Sequence, residues 1–203
     1  MGYENLNDMH IDVLREIGNI GAGNAATSLA MMLGQAVDME VPNVVLMNFD
    51  EVRHAMGGAE AMTFGVLVPL HGDVDGMIMF LLDKDFSHLI LNILMGEMYT
   101  SFEEMDEMAL SAIQEVGNIL SGAYVNSIAE LTGLRIEVDC PSVSVDMAGS
   151  LLSVPIIRFG EVGDSVLLIE ETFKSNEESV KSNMILFAEI ESLNLILTKL
   201  GIM

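Results

Sequence analysis

The sequence predicts an α+β fold produced by internal duplication. Two helix–strand–hairpin–helix halves would form one pseudo-twofold domain with a mainly antiparallel sheet and two long surface helices. Residues 12–44 and 111–143 align without a gap at a constant offset of 99, with ten identities in 33 positions. That is several times what composition alone would give, so the chain is read as a duplication. Both segments carry a helical apolar period, and each is followed by short, strand-sized apolar runs. The repeats span approximately 8–100 and 105–203 and are expected to form a single domain over 1–203.

The elements follow in order. The segment from about Asp8 to Leu33 is helical. At 100° per residue, Val13, Leu14, Ile17 and Ile20 share an arc of roughly 120° that should face the core. Thr63–Pro69 and Gly76–Leu82 read as strands around a turn at His71-Gly72-Asp73, and a helix from about Phe86 to Met95 is stopped by Gly96. The acidic stretch Ser101–Glu107 is the expected joint and caps the second long helix, in which Ile113, Val116 and Ile119 take the buried arc. Ser165–Phe173 and Asn183–Ile190 read as strands around a polar loop, Lys174–Ser182, and a last helix, Glu191–Leu200, stops at Gly201. Val154-Pro155-Ile156-Ile157 reads as an edge strand. Pro42 and Pro141 are expected to end the helix-to-strand connections.

Composition excludes several classes. There are 31 acidic against 8 basic side chains, a formal net charge of −23, so a nucleic-acid backbone would be repelled and a partner with a basic surface is favoured. A single Cys140 cannot form an internal disulfide, which fits a reducing cytoplasm. The start of the chain lacks the basic and apolar regions of a signal peptide. Apolar runs such as Met77–Leu82 stop far short of a membrane span, which needs roughly 18 residues.

Familiar catalytic patterns are missing. His10, His54, His71 and His88 are scattered through the first half without metal-ligand spacing. Gly21-Ala22-Gly23-Asn24-Ala25-Ala26 matches a loose dinucleotide fingerprint, but it lies inside a helical pattern instead of between a strand and a helix. Small residues that let the helix bend or pack closely explain it better. Cys140 reads as an inert packed thiol, and the 17 methionines read mainly as core filler.

One constellation stands out. Asp12, Glu16 and Asn19 fall at i, i+4 and i+7, on an arc separate from the apolar one, and Ser111, Glu115 and Asn118 repeat the spacing. A solvated helix face is the ordinary account of such residues. Asparagine is a mediocre helix former, however, and it holds the same place in both halves while its neighbours diverge: Arg15 stands against Gln114, and Asp12 against Ser111.

The pattern (Asp/Ser)-x-x-x-Glu-x-x-Asn, 22 residues, then Pro occurs twice, as Asp12…Glu16…Asn19…Pro42 and Ser111…Glu115…Asn118…Pro141. With the Glu-(Ile/Val)-Gly-Asn-Ile core and Gly23/Gly122, it resembles the CheC/CheX/FliY family of chemotaxis phosphatases across the whole chain. Two motifs and no added flagellar-switch domain place the resemblance nearest the CheC branch. It implies hydrolysis of the aspartyl phosphate on the response regulator CheY. By that resemblance Asn19 and Asn118 would orient water, Glu16 and Glu115 would pair with a lysine of the regulator, and Asp12 and Ser111 would support the contact. The protein would carry no cofactor or metal, the divalent ion belonging to the regulator. An exposed helical glutamate is too weak a general base near neutrality to help much, so positioning is the simpler mechanism. The resemblance also implies a second partner, the receptor deamidase CheD. An alternative reading is therefore a CheD-binding regulatory module whose phosphatase activity is secondary. A purely structural flagellar-switch component would not need both asparagines.

Overall fold

The computed structural model describes residues 3–96, 101–159 and 165–202. The first half contributes α1 (Asp8–Leu33), β1 (Asp38–Asn48), α2 (Phe49–Ala55), β2 (Met62–Gly72), β3 (Gly76–Leu82) and α3 (Lys84–Met95). The second contributes α4 (Glu107–Thr132), β4 (Ile136–Val138), β5 (Ser142–Met147), α5 (Ala148–Phe159), β6 (Ser165–Ser175), β7 (Glu178–Ala188) and α6 (Ile190–Lys199). Among the described residues no helix is long and apolar enough to cross a membrane.

All seven strands join one antiparallel sheet in the order β1-β6-β7-β3-β2-β4, with β5 also on β2. The halves exchange their first strands. β1 pairs with β6 of the second half, and β5 pairs with β2 of the first, while the hairpins β2–β3 and β6–β7 meet through β3 and β7. Read from either edge, the sheet gives the same succession of elements, which is the pseudo-twofold relation expected from the duplication.

Both faces of the sheet are covered, and the central strand β3 is a continuous apolar run. On β3, Ile78, Phe80 and Leu82 join the larger core beneath α1, α3, α4 and α6, whereas Met77, Met79 and Leu81 join a smaller core closed by α2 and α5. The alternation follows the two-residue period of a strand. One carboxyl group keeps that alternation and is buried with the apolar side chains. Glu171 lies on the larger-core side of β6, fully buried, where it accepts hydrogen bonds from the Tyr124 and Ser182 hydroxyls, the latter at 2.7 Å. Burial pushes its carboxyl above the ordinary range and pushes the Tyr124 phenol well up as well.

The two long helices end where local chemistry ends them. Asn7 caps α1 by accepting from the His10 amide, and Asp106 caps α4 by accepting from the Ala109 amide. Gly34 and Gly133 close them in the left-handed conformation. The acidic joint therefore caps the second helix, as its composition suggested.

Several expectations change, among them Cys140, which is exposed and not a packed thiol. Lys174–Ser182 is not a loop: β6 and β7 run through it to a two-residue turn, Asn176-Glu177, with Ser175 opposite Glu178 and Asn176 at φ 55. Asparagine tolerates that conformation, and the polar residues there line the exposed end of the hairpin. Val154–Ile157 is not an edge strand but part of α5. Leu151, Leu152 and Pro155 bury themselves at helical spacing, although Pro155 leaves the carbonyl one turn back without its helical donor. Pro42 does not end a connection. It lies within β1, where the pairing with β6 shifts register between Glu40 and Asn43, the kind of irregularity that accommodates a residue without an N–H. Pro141 does fall in a break, between β4 and β5. Finally, Ile20 does not belong to the core arc; it is 37% exposed, and Ile119 is only partly buried.

Candidate functional site

The site is built from the glycine that precedes each asparagine. Gly18 is buried against β1, where an added Cβ would lie 3.4 Å from Val41, and Gly117 is buried against β2, where one would lie 2.3 Å from Val66. Each glycine lets the helix backbone settle onto the sheet, and the next residue turns outward at the helix–sheet margin. Asp12, Glu16 and Asn19 are all exposed, and so are Ser111, Glu115 and Asn118. The structure thus brings each predicted trio together on one helical face. Both asparagines stand in mid-helix, remote from the first-turn amides, so the helix dipole adds little there. The polar side chains have to supply the chemistry.

The two copies differ in how the amide is held. The Asn19 Oδ1 accepts a hydrogen bond from the Val41 backbone N–H at 3.1 Å. Because a backbone N–H can only donate, this identifies the oxygen and leaves Nδ2 as the free end. Among the described residues the Asn118 amide has no such partner. It lies between two grooves, one lined by Ser111, Gln114, Glu115, Cys140 and Pro141, the other by Asn24, Ser28, Gly122 and Asn126.

The flanking residues diverge in the same way. Arg15 pairs with Asp12 at 3.0 Å, whereas its counterpart Gln114 donates to the Pro141 carbonyl at 2.6 Å, anchoring α4 to the β4–β5 break. The Ser111 hydroxyl donates back to the Glu107 carbonyl at 2.8 Å. Glu16 and Glu115 have no hydrogen-bond or ion-pair partner among the described residues, which leaves both carboxylates available to an outside cation. No group of three histidine, cysteine, aspartate or glutamate residues converges on a metal position among the described residues.

The sequence reading missed two parts of this surface. Met9 and Met108 are 61% and 66% exposed, stand three residues before Asp12 and Ser111, and extend each polar stripe with an apolar end. They also obey the offset of 99, so extending the alignment by three residues would have found them. The second part is Gly23 and Gly122, where an added Cβ would meet nothing within 4 Å; the close packing expected of the Gly21–Ala26 stretch comes from Gly21, where one would lie 2.5 Å from the Tyr124 ring, and from the buried Ala22, Ala25 and Ala26.

Comparison with known proteins agrees with the repeat. The family model described as the CheC-like family matches residues 9–46 and 108–145, the two helix-to-strand segments that carry the asparagines. The CheY-P phosphatase CheC of Bacillus subtilis is 30% identical over 98% of this chain and 97% of its own. The crystal structure of Thermotoga maritima FliY superposes with a TM-score of 0.79 at 26% identity, covering 97% of this chain and 98% of the other. A CheX from Borrelia burgdorferi, solved in complex with CheY, beryllofluoride and magnesium, shares the fold with a TM-score of 0.52 at 18% identity, over 83% and 96% of the two chains.

Proposed function

The chain belongs to the CheC-like family, and we propose that it is a hydrolase that removes the aspartyl phosphate of a CheY-type response regulator in the cytoplasm, with Asn19 and Asn118 each positioning the attacking water. The observation that carries this reading is the pair of exposed amides, each one turn after an unpaired glutamate on a helix open to a visiting domain. An acyl phosphate is already reactive, and its lifetime depends on bringing water in line with the leaving carboxylate. The water oxygen attacks phosphorus, the bond from phosphorus to the aspartyl oxygen breaks, and inorganic phosphate leaves with the aspartate carboxylate regenerated. An amide suits the task because its oxygen accepts from the water while its NH2 donates to a phosphoryl oxygen, with no ionisation required.

Glu16 and Glu115 would bind a lysine of the regulator, and the apolar ends at Met9 and Met108 would add contact area to an otherwise acidic surface. Asp12 and Ser111 would support that contact. The divalent ion is assigned to the regulator. Phosphate release from a phosphorylated receiver domain tests the reading. The parent protein should accelerate it, and an Asn19→Ala/Asn118→Ala double variant should return it to the spontaneous rate while still binding the receiver. Unchanged release in the double variant would refute the catalytic assignment.

A second reading, a docking platform for a CheD-type deamidase, is favoured by a separate surface. Ile157 is 85% exposed on α5, with Val154 exposed beside it, on the helix layer that closes the smaller core. An Ile157→Asp variant that loses the deamidase and keeps phosphate release would establish two independent activities.

A further inference from the structure

Gly23 and Gly122 stand four residues after the site asparagines, in the interior of 26-residue helices, and they are identical in the two halves. Glycine is the poorest helix former after proline, and it is kept in a helix where something needs the missing Cβ. Nothing among the described residues does. A Cβ at either position would meet no atom within 4 Å, and neither glycine has a positive φ. Two other glycines within these helices have internal reasons, Gly21 against Tyr124 and Gly117 against Val66, and a Cβ at Gly18 would at least make ordinary contact with Val41 at 3.4 Å.

The direction of the bare backbone matters. Four residues turn the helix by about 40° and raise it about 6 Å, so each glycine lies on the same face as its asparagine and one turn above it. Gly122 helps to line the groove that Asn118 borders. Asparagine is a short side chain. A neighbour of similar height one turn away would hold a visiting surface off before the amide could enter a recessed phosphorylation site. Removing that neighbour's side chain lets the visitor come down onto the helix backbone.

We propose that Gly23 and Gly122 are specificity-determining clearances, each receiving a main-chain loop beside the phosphorylated aspartate of the receiver domain, so that the adjacent asparagine reaches the phosphoryl group. This rests on the phosphatase reading and adds the feature that admits a receiver loop at that depth.

The test is a steric series in the full-length chain, with Ala, Ser and Leu placed at both glycines. Three quantities are measured: the thermal midpoint, the affinity for a receiver domain loaded with beryllofluoride and Mg2+, and kcat and KM for phosphate release. Replacing glycine by alanine on an open helix face should leave the midpoint unchanged or higher. Receiver affinity should nevertheless fall about tenfold with Ala, the scale of an overpacked contact, and beyond detection with Leu, with KM rising in step. An Ala variant that binds within twofold of the parent overturns the clearance. So does an equal loss with Ala, Ser and Leu, which would indicate a need for backbone flexibility. The parent protein in the same assay separates the two claims: no release by the parent removes the phosphatase reading itself, whereas an active parent with an indifferent series removes only the clearance.

Discussion

The side-chain oxygen of Asn19 is tied to the backbone amide of Val41, 22 residues further along the chain, at 3.1 Å. Among the described residues the equivalent amide of Asn118 has no counterpart to that bond. To accept from a catalytic water, Asn19 must either share its oxygen or release the strand, and releasing a net hydrogen bond costs about 1 kcal/mol. Asn118→Ala is therefore expected to lower phosphate release more than Asn19→Ala does. Loss of a positioning group is worth roughly 10²-fold at a site that supplies most of the turnover. Single-turnover release by each variant decides the order, and equal losses would show that the Val41 contact is catalytically silent.

A buried acid makes stability depend on pH. Burial raises the Glu171 carboxyl above its ordinary value of 4.5, so the folded chain holds that proton more tightly than the unfolded one. Its stabilisation is complete below the unfolded value and is lost as pH rises through the folded one. A Glu171→Gln variant should lose less thermal stability than the parent across that interval. Glu171→Ala should cost about 1–3 kcal/mol at low pH, because the Tyr124 and Ser182 hydroxyls lose their acceptor, and less as pH rises through the folded value. Thermal melts at stepped pH measure both.

Gly117 tests the packing beneath the site. A methyl there would meet Val66 at 2.3 Å, and Val66 is fully buried and stiff at its branch point. Gly117→Ala is expected to destabilise the fold by about 1–3 kcal/mol despite its better helix propensity. Adding Val66→Ala should recover part of the loss. A double-mutant cycle by denaturant unfolding reads the coupling, and strict additivity would mean the two side chains do not collide.

The glutamates should act through charge on docking. Glu115→Gln is expected to raise KM a few-fold and leave kcat nearly unchanged, the scale of an exposed ion pair worth up to about 1 kcal/mol. The difference should shrink as ionic strength rises and the Debye length contracts. Initial rates at low and high salt check this. A fall in kcat at constant KM would instead point to Glu115 acting on the reaction itself.

The long helices were legible because each carries a complete set of local signals: a cap, an apolar arc and a closing glycine. Gly76–Leu82 was legible as one unbroken apolar run. The exchange of first strands was not, since no local pattern tells β1 which hairpin it will join. α5 was misread because a proline among branched residues outweighed the helical spacing of Leu151, Leu152 and Pro155. At the site, the exposure of both asparagines followed from the arc on which they lie. The bond from Val41 did not, because it depends on how far Gly18 lets the helix sink toward a strand. The glycines themselves were visible, but only coordinates separate those that touch a neighbour from those that face open space.

The crossed pairing of β1 with β6 and of β5 with β2 bears on how such a protein could arise. A free-standing half-length ancestor would leave each hairpin with an uncovered edge, a liability for any sheet protein. Two copies, each lending its opening strand to the other, would cover those edges in a closed homodimer. Joining them in one polypeptide would free each copy to change alone, and the leashed amide of Asn19 beside the loose one of Asn118 is a difference that a symmetric pair of identical chains could not hold.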